Sequence, residues 1–229
     1  MSTTYIHPKV VELLKCEQWE QRTPPWYERR KTLITASDTG GAMGIPAFHG
    51  QKGDIRAELI KSKCHNVFKG NHMTRHGSEN EDMVRDKAMA ILGMKVLEFG
   101  LLVHPELAWL GASPDGVTTC GNLIEIKCPY KRQPIPGEMP HHYFPQVQVQ
   151  LEVCDLNLCY FVEWMPPHLS DTGKEILTIL PIERDRAWFA AYRNTFHEFW
   201  MDLMDARRVF VAPPPPPPPT CLIVDDLYV

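Results

Sequence analysis

The stretch Ser113-Pro114-Asp115-Gly116, followed by Glu125-Ile126-Lys127, holds two carboxylates and an ammonium on either side of a turn signal at Gly121-Asn122. On a strand successive side chains alternate, so Glu125 and Lys127 project from one face while Ile124 and Ile126 enter the core. A hairpin through Gly121-Asn122 returns that face to the neighbourhood of Asp115. Two close carboxylates repel each other unless a divalent cation lies between them, and Mg²⁺, a hard ion that takes oxygen ligands, suits the set. Lys127 would then orient or deprotonate water, or offset charge at a phosphoryl centre. The same spacing is also met by an exposed Glu-x-Lys pair with Asp115 as a turn former.

The elements needed to position these groups are legible. A first helix is expected from Pro8 to about Gln21, with Val11, Leu14 and Cys16 inward, ended by Thr23-Pro24-Pro25. Short helices are expected from Ser37 and over about Asp54 to Lys63, with a basic loop from Cys64 to His76. Ser78 and Glu81 have capping-box spacing before a helix in which Val84, Ala88 and Ile91 repeat until Gly93. Runs at Lys95 to Phe99, Leu107 to Leu110, Val117 to Thr119 and Leu123 to Lys127 suggest an antiparallel meander.

Residues 146 to 151 alternate as a strand would, yet Pro145 and the helical spacing of Val147, Leu151 and Cys154 suit a helix equally. Asn157 to Met165 and Glu175 to Ile182 read as strands. Residues 183 to 210 read as a long helix with Trp188, Tyr192, Phe196, Phe199 and Leu203 as its buried stripe. Strands flanked by helices in this order predict an α/β or α+β fold. The seven prolines from 213 to 219 predict a polyproline II spacer, so residues 212 to 229 are set apart from one domain over 1 to 211.

The 229 residues carry a net charge of −4, and 44% are hydrophobic, a composition that excludes global disorder and disfavours a general polyanion binder. The charge is unevenly spread. Residues 22 to 76 hold ten Lys or Arg against four Asp or Glu, whereas residues 143 to 229 hold six against twelve, so a nucleic acid would meet the first segment. Seven cysteines without a Cys-x-x-Cys pair suggest reduced thiols, and Cys64, His72 and His76 lack a fourth ligand at zinc spacing. The start, MSTTYIHPKVVELL, lacks a signal-peptide core, and no apolar run is long enough to span a bilayer. An intracellular, non-secreted protein with no membrane partner is expected, in host cytoplasm or nucleus if viral.

Asp followed after nine residues by Glu-x-Lys, with Ser-Pro before and Cys128-Pro129 after, resembles the PD-(D/E)XK nucleases and, more closely, the phage lambda exonuclease and YqaJ-type viral recombinase group. The resemblance runs from about Trp26 to Met165. It implies a restriction-endonuclease-like core, a central mixed β-sheet flanked by helices. Trp26, Arg30 and Ile34-Thr35-Ala36-Ser37 form its first landmark, and by resemblance Arg30 and Ser37 hold a DNA 5′-phosphate with Trp26 beside them; Ser37 as an N-cap is compatible. Gly77, Glu81 and Arg85 form the second, with Glu81 completing the metal shell and Glu79 as the alternative register.

Asp115, Glu125 and the Ile126 carbonyl are implied as metal ligands and Lys127 as the catalytic lysine. Gln146 matches a glutamine near the scissile phosphate, which favours the helix for its segment and puts Gln150, not Gln148, on the same face. The resemblance thus implies a Mg²⁺-dependent enzyme, Mn²⁺ substituting, that degrades one strand 5′ to 3′ from double-stranded DNA ends. A single-strand annealing protein is the implied partner and a homotrimer the implied assembly. An endonuclease or RNA-acting alkaline nuclease of the same fold, or a catalytically silent DNA-binding scaffold, are the alternatives.

Overall fold

The computed structural model of the chain describes residues 5–48, 50–65 and 72–209. The polyproline tail lies outside the described residues. Helix α1 (Pro8–Lys15) and α2 (Pro24–Arg30) precede the short strand β1 (Ile34–Thr35), a 3-10 turn at Ala36–Asp38 and α3 (Thr39–Ala42). Helices α4 (Ile55–His65) and α5 (His72–Leu92) lead to strands β2 (Val96–Leu97), β3 (Leu102–Val103), β4 (Leu110–Ala112), β5 (Gly116–Thr118) and β6 (Leu123–Lys127). Helix α6 (Phe144–Cys154), strands β7 (Leu158–Met165) and β8 (Ile176–Glu183), and α7 (Arg186–Val209) complete the chain.

Five strands in the order β2-β5-β6-β7-β8 form the main sheet, and β1-β4-β3 form a smaller one. The main sheet is mixed, because β6 and β7 pair in parallel from Leu123↔Cys159 to Lys127↔Glu163 while its other pairs are antiparallel. A parallel pair needs a crossover, which α6 supplies. The expected meander therefore divides. Only β2, β5 and β6 follow it; β3 and β4 join β1, which pairs with β4 in parallel.

Strand alternation splits the core in two. Leu123 packs with Val147, Leu151, Phe161 and the α7 residues Phe189, Phe196 and Phe199, whereas Ile124 and Ile126 pack with Val84 and Ala88 of α5 and with Val162 and Trp164. Glu125 and Lys127 share Leu123's parity and so face α6. Gly121, at φ 87, makes the turn before β6, as its placement in the sequence suggests.

Several helical expectations change. Helix α1 ends at Lys15, and Val10 and Leu13 are its buried residues; Val11 and Leu14 are exposed, since an eight-residue helix closed at Cys16 turns only one narrow stripe inward. Helix α5 starts at His72, so Ser78 lies inside it and forms no capping box. Its first turns are held by His72 and His76 against Tyr130, and by His76 against Trp164, packing that offsets the cost of Gly77 within a helix. Cys64 and His65 likewise end α4 instead of opening a loop. Ile91 is exposed, and on α7 Phe189 replaces Trp188 and Tyr192 in the buried stripe.

Candidate active site

The carboxylate cluster is built at the end of the β5–β6 ladder. Pairing stops at Gly116↔Ile124, and the side chain of Asp115 takes over as the next acceptor, receiving the Ile126 N–H on Oδ2 at 2.7 Å. A Cβ on Gly116 would stand 2.3 Å from Val96 Cγ1, so the residue after Asp115 must be glycine for β2 to pack against β5. The N–H and C=O of one strand residue point to the same side, which turns the Ile126 carbonyl toward the same edge.

Glu125 is 1% exposed and fully engaged. Its Oε1 accepts from Gln146 Nε2 at 2.5 Å and pairs with the Lys127 ammonium, while Oε2 accepts from Gln150 Nε2 at 2.7 Å. The helix places Gln146 and Gln150 on one face. Gln148 turns the other way, donating to the Glu183 carbonyl and accepting the Asp185 N–H. Lys127 Nζ also lies 5.1 Å from the centre of the Tyr143 ring.

The electrostatics follow from these distances. Burial pushes the Asp115 pKa well above its ordinary value, and the nearby Glu125 and Glu81 charges push it further, against the pull of Lys127. Burial disfavours the Lys127 ammonium, but Glu125 and Asp115 outweigh it and hold its pKa above the usual lysine range. Burial pushes the Cys128 thiol up to about 12, so this neighbour is not a thiolate.

Glu81 is reached from two sides: Arg22 contacts Oε2 at 2.5 Å and Arg85 contacts Oε1 at 3.2 Å. The buried Arg85 also donates from Nε to the Asp115 carbonyl at 2.9 Å, which ties α5 to the loop before β5. Glu81, Asp115, Ile126 and Lys127 line a cleft of about 1280 Å³ with Lys131, Arg132 and His141 on its walls. Glu79, the alternative register, is exposed and lies outside the described lining.

Arg30, Ser37 and Trp26 form a second cluster. Arg30 donates to Ser37 Oγ at 3.1 Å, its guanidinium carbon lies 4.3 Å from the Trp26 ring centre, and Trp26 Nε1 donates to Ser113 Oγ at 2.9 Å. Ser113 thus joins this cluster to the Asp115 loop, although the three residues are not among the described residues lining the cleft. Ser37 lies within the 3-10 turn and not at its cap. Asp38 stabilises that turn by accepting the Thr35 N–H at 2.8 Å and pairing with Lys63 at 2.6 Å, and the exposed Ser37 hydroxyl remains in contact with Arg30.

Among the described residues no three His, Cys, Asp or Glu side chains already stand as a closed metal-ligating group. The donors on hand are the Asp115 and Glu125 carboxylates and the Ile126 carbonyl, all hard oxygens. Their composition, and the burial and carboxylate repulsion that together raise Asp115, fit a small divalent cation that keeps part of its water shell. Glu81 would join them only after giving up a guanidinium. Gln150, Arg22 and Ser113 have partners 25 to 87 residues distant or belong to loops; Gln150's helical phase with Gln146 was the one signal in the sequence for any of them.

A mixed sheet with an aspartate at the end of one strand and Glu-x-Lys on the next defines the restriction-endonuclease-like class. Residues 25–157 match the YqaJ-like viral recombinase domain, and the chain belongs to that family. It is similar to an alkaline exonuclease, LHK-Exo, from Laribacter hongkongensis, at 28% identity with a TM-score of 0.63, covering 81% of this chain and 95% of that one. The same enzyme in complex with dAMP superposes with a TM-score of 0.64. An uncharacterized protein, R354, of Acanthamoeba polyphaga mimivirus is 29% identical over 168 residues. That match spans 65% of this chain but only 30% of the viral relative. Among the described residues no helix is long and apolar enough to cross a membrane.

Proposed function

We propose that the protein is a Mg²⁺-dependent exodeoxyribonuclease, with Mn²⁺ able to substitute, that degrades one strand of linear duplex DNA from its 5′ end. The observation that carries this reading is that Asp115 and Lys127 line one cleft while the buried Glu125 pairs with Lys127 behind it, fixed by Gln146 and Gln150. Likeness to an alkaline exonuclease over most of both chains supports it, as does that enzyme's complex with a mononucleotide.

Asp115, Glu125 and the Ile126 carbonyl would hold the cation, with Glu81 as a further ligand. The cation would supply Lewis-acid stabilisation of charge at the scissile phosphate. Lys127 holds an ammonium at the same carboxylate edge, where it orients the attacking water and offsets phosphoryl charge. Gln146 supports it by keeping Glu125 Oε1 in place. Water attack on phosphorus with cleavage of the P–O3′ bond releases a 5′-mononucleotide and leaves a new 5′-phosphate on the shortened strand. Arg30 and Ser37 bind that terminal phosphate, with Trp26 stacked behind the guanidinium.

The product would be a 3′ overhang, a substrate for a single-strand annealing protein in recombination or viral DNA processing. A homotrimer inside the host cell is part of this reading. A time course on linear duplex carrying 5′-phosphate or 5′-hydroxyl ends, on closed circular duplex and on RNA, with Mg²⁺ or EDTA, tests it. Mononucleotide release from 5′-phosphorylated linear DNA in Mg²⁺ alone is expected. Cutting of circles or of RNA would favour an endonuclease or RNA-acting alkaline nuclease, and inertness on every substrate would favour a silent scaffold.

A further inference from the structure

Arg22 is one of two non-glycine described residues with positive φ, at 65°, in the turn between α1 and α2. Such backbone costs free energy and persists where the surroundings impose it. Here the preceding Gln21 imposes it, donating from Nε2 to the Phe99 carbonyl at 2.9 Å and the Pro114 carbonyl at 3.0 Å. The turn is thereby pinned to the residue before Asp115, and Arg22 is aimed at Glu81 Oε2.

The Arg22 guanidinium occupies Glu81 Oε2 and that of Arg85 occupies Oε1, so a divalent ion that takes Glu81 as a ligand must displace one of them. Lys127 is held by Glu125, and Arg85, with its side chain 9% exposed, is tied to Glu81, Asp82, Glu98 and the Asp115 carbonyl. The Arg22 side chain is 47% exposed, and among the described residues its guanidinium pairs with Glu81 alone. It also borders a cavity of about 420 Å³, lined by Glu20, Glu81, Glu98 and Asp115 as well, so other carboxylates lie around the space beside it.

We propose that Arg22 is a positioning residue that holds the place of positive charge beside Glu81 and yields it when a divalent cation binds. The inference rests on the cation reading of Asp115 and Glu125. It makes Glu81 a ligand presented only on loading, and it gives the arginine at this positive-φ position a role.

The test is Mn²⁺ binding to the full chain without DNA, followed by titration calorimetry and by the loss of the free Mn²⁺ resonance signal. Arg22→Gln should bind Mn²⁺ roughly two- to fivefold more tightly than wild type, the range for removal of one exposed competing ion pair. Arg22→Lys should stay near wild type. In a Glu81→Gln background the gain from Arg22→Gln should vanish, which a merely structural role would not produce. Arg22→Gly, suited to the positive φ, should reproduce the gain and guards against a folding defect. Unchanged or weaker binding by both neutral variants, or an equal gain without Glu81, overturns the inference while leaving the cation site intact. Failure of wild type to bind Mn²⁺ at all, or binding that survives Asp115→Asn with Glu125→Gln, overturns the site reading and the inference with it.

Discussion

Gln150 Nε2 donates to Glu125 Oε2 at 2.7 Å, and both residues are 1% exposed. The helix contributes this bond from one turn beyond Gln146, so α6 grips both oxygens of the carboxylate from a single face. Gln150→Ala leaves a buried, charged acceptor short of a donor. A loss of about 1–3 kcal/mol is expected in denaturant unfolding. At this chain length each kcal/mol lowers the melting temperature by about 2–4 °C. Nuclease activity should fall with it, because Glu125 gains freedom to leave its position; a variant as stable as wild type would show that the bond contributes nothing.

Lys127→Ala removes the ammonium that shares Glu125 Oε1 with Gln146. Turnover of linear duplex in Mg²⁺ should drop by roughly 10²–10³-fold, as for loss of one oriented electrostatic group in a desolvated site. Binding of the DNA end, measured by fluorescence anisotropy in Ca²⁺, should change by only a few-fold. Full cleavage by this variant would remove Lys127 from the mechanism.

The residues of β6 and the Asp115 turn were legible because a strand's alternation and a glycine turn are local properties. Leu123 to Lys127 forms the strand with the bounds that the pattern predicts. The start of α5 was not legible. Gly77 and Ser78 signal a helix boundary locally, whereas His72 and His76 pack on Tyr130 and Trp164, residues far along the chain, and the helix reaches back to His72. Helical phase identified Gln150 but not its partner, and neither Arg22's contact with Glu81 nor Trp26's with Ser113 leaves a mark in spacing, since each depends on how separate elements dock.

Arg30 has its hydroxyl partner in Ser37 and its plane against Trp26. If this cluster reads the DNA end, Arg30→Ala should lower the rate ratio for 5′-phosphorylated over 5′-hydroxyl duplex by roughly tenfold or more, the worth of a charge-assisted hydrogen bond. Trp26→Leu should lower it less, since the guanidinium remains while its backing is lost. An unchanged ratio in Arg30→Ala assigns end recognition elsewhere.

Asp115 gives a pH signature opposite to that of a salt-bridged carboxylate. Its folded-state pKa is raised by burial and by Glu125 and Glu81, so between its unfolded value near 3.8 and that raised value the folded protein holds a proton that the unfolded chain has lost. Stability from this group therefore falls as pH rises through that window and stays low above it. Asp115→Asn keeps an oxygen for the Ile126 N–H and removes the titration. In EDTA the variant should melt at a higher temperature than wild type at neutral pH, and the gap should close toward pH 4. Added Mg²⁺ should raise the melting temperature of wild type and not of Asp115→Asn, because only the former keeps the full set of anionic donors. Parallel melting curves across pH with no closing gap would show that the Asp115 carboxylate carries no such penalty.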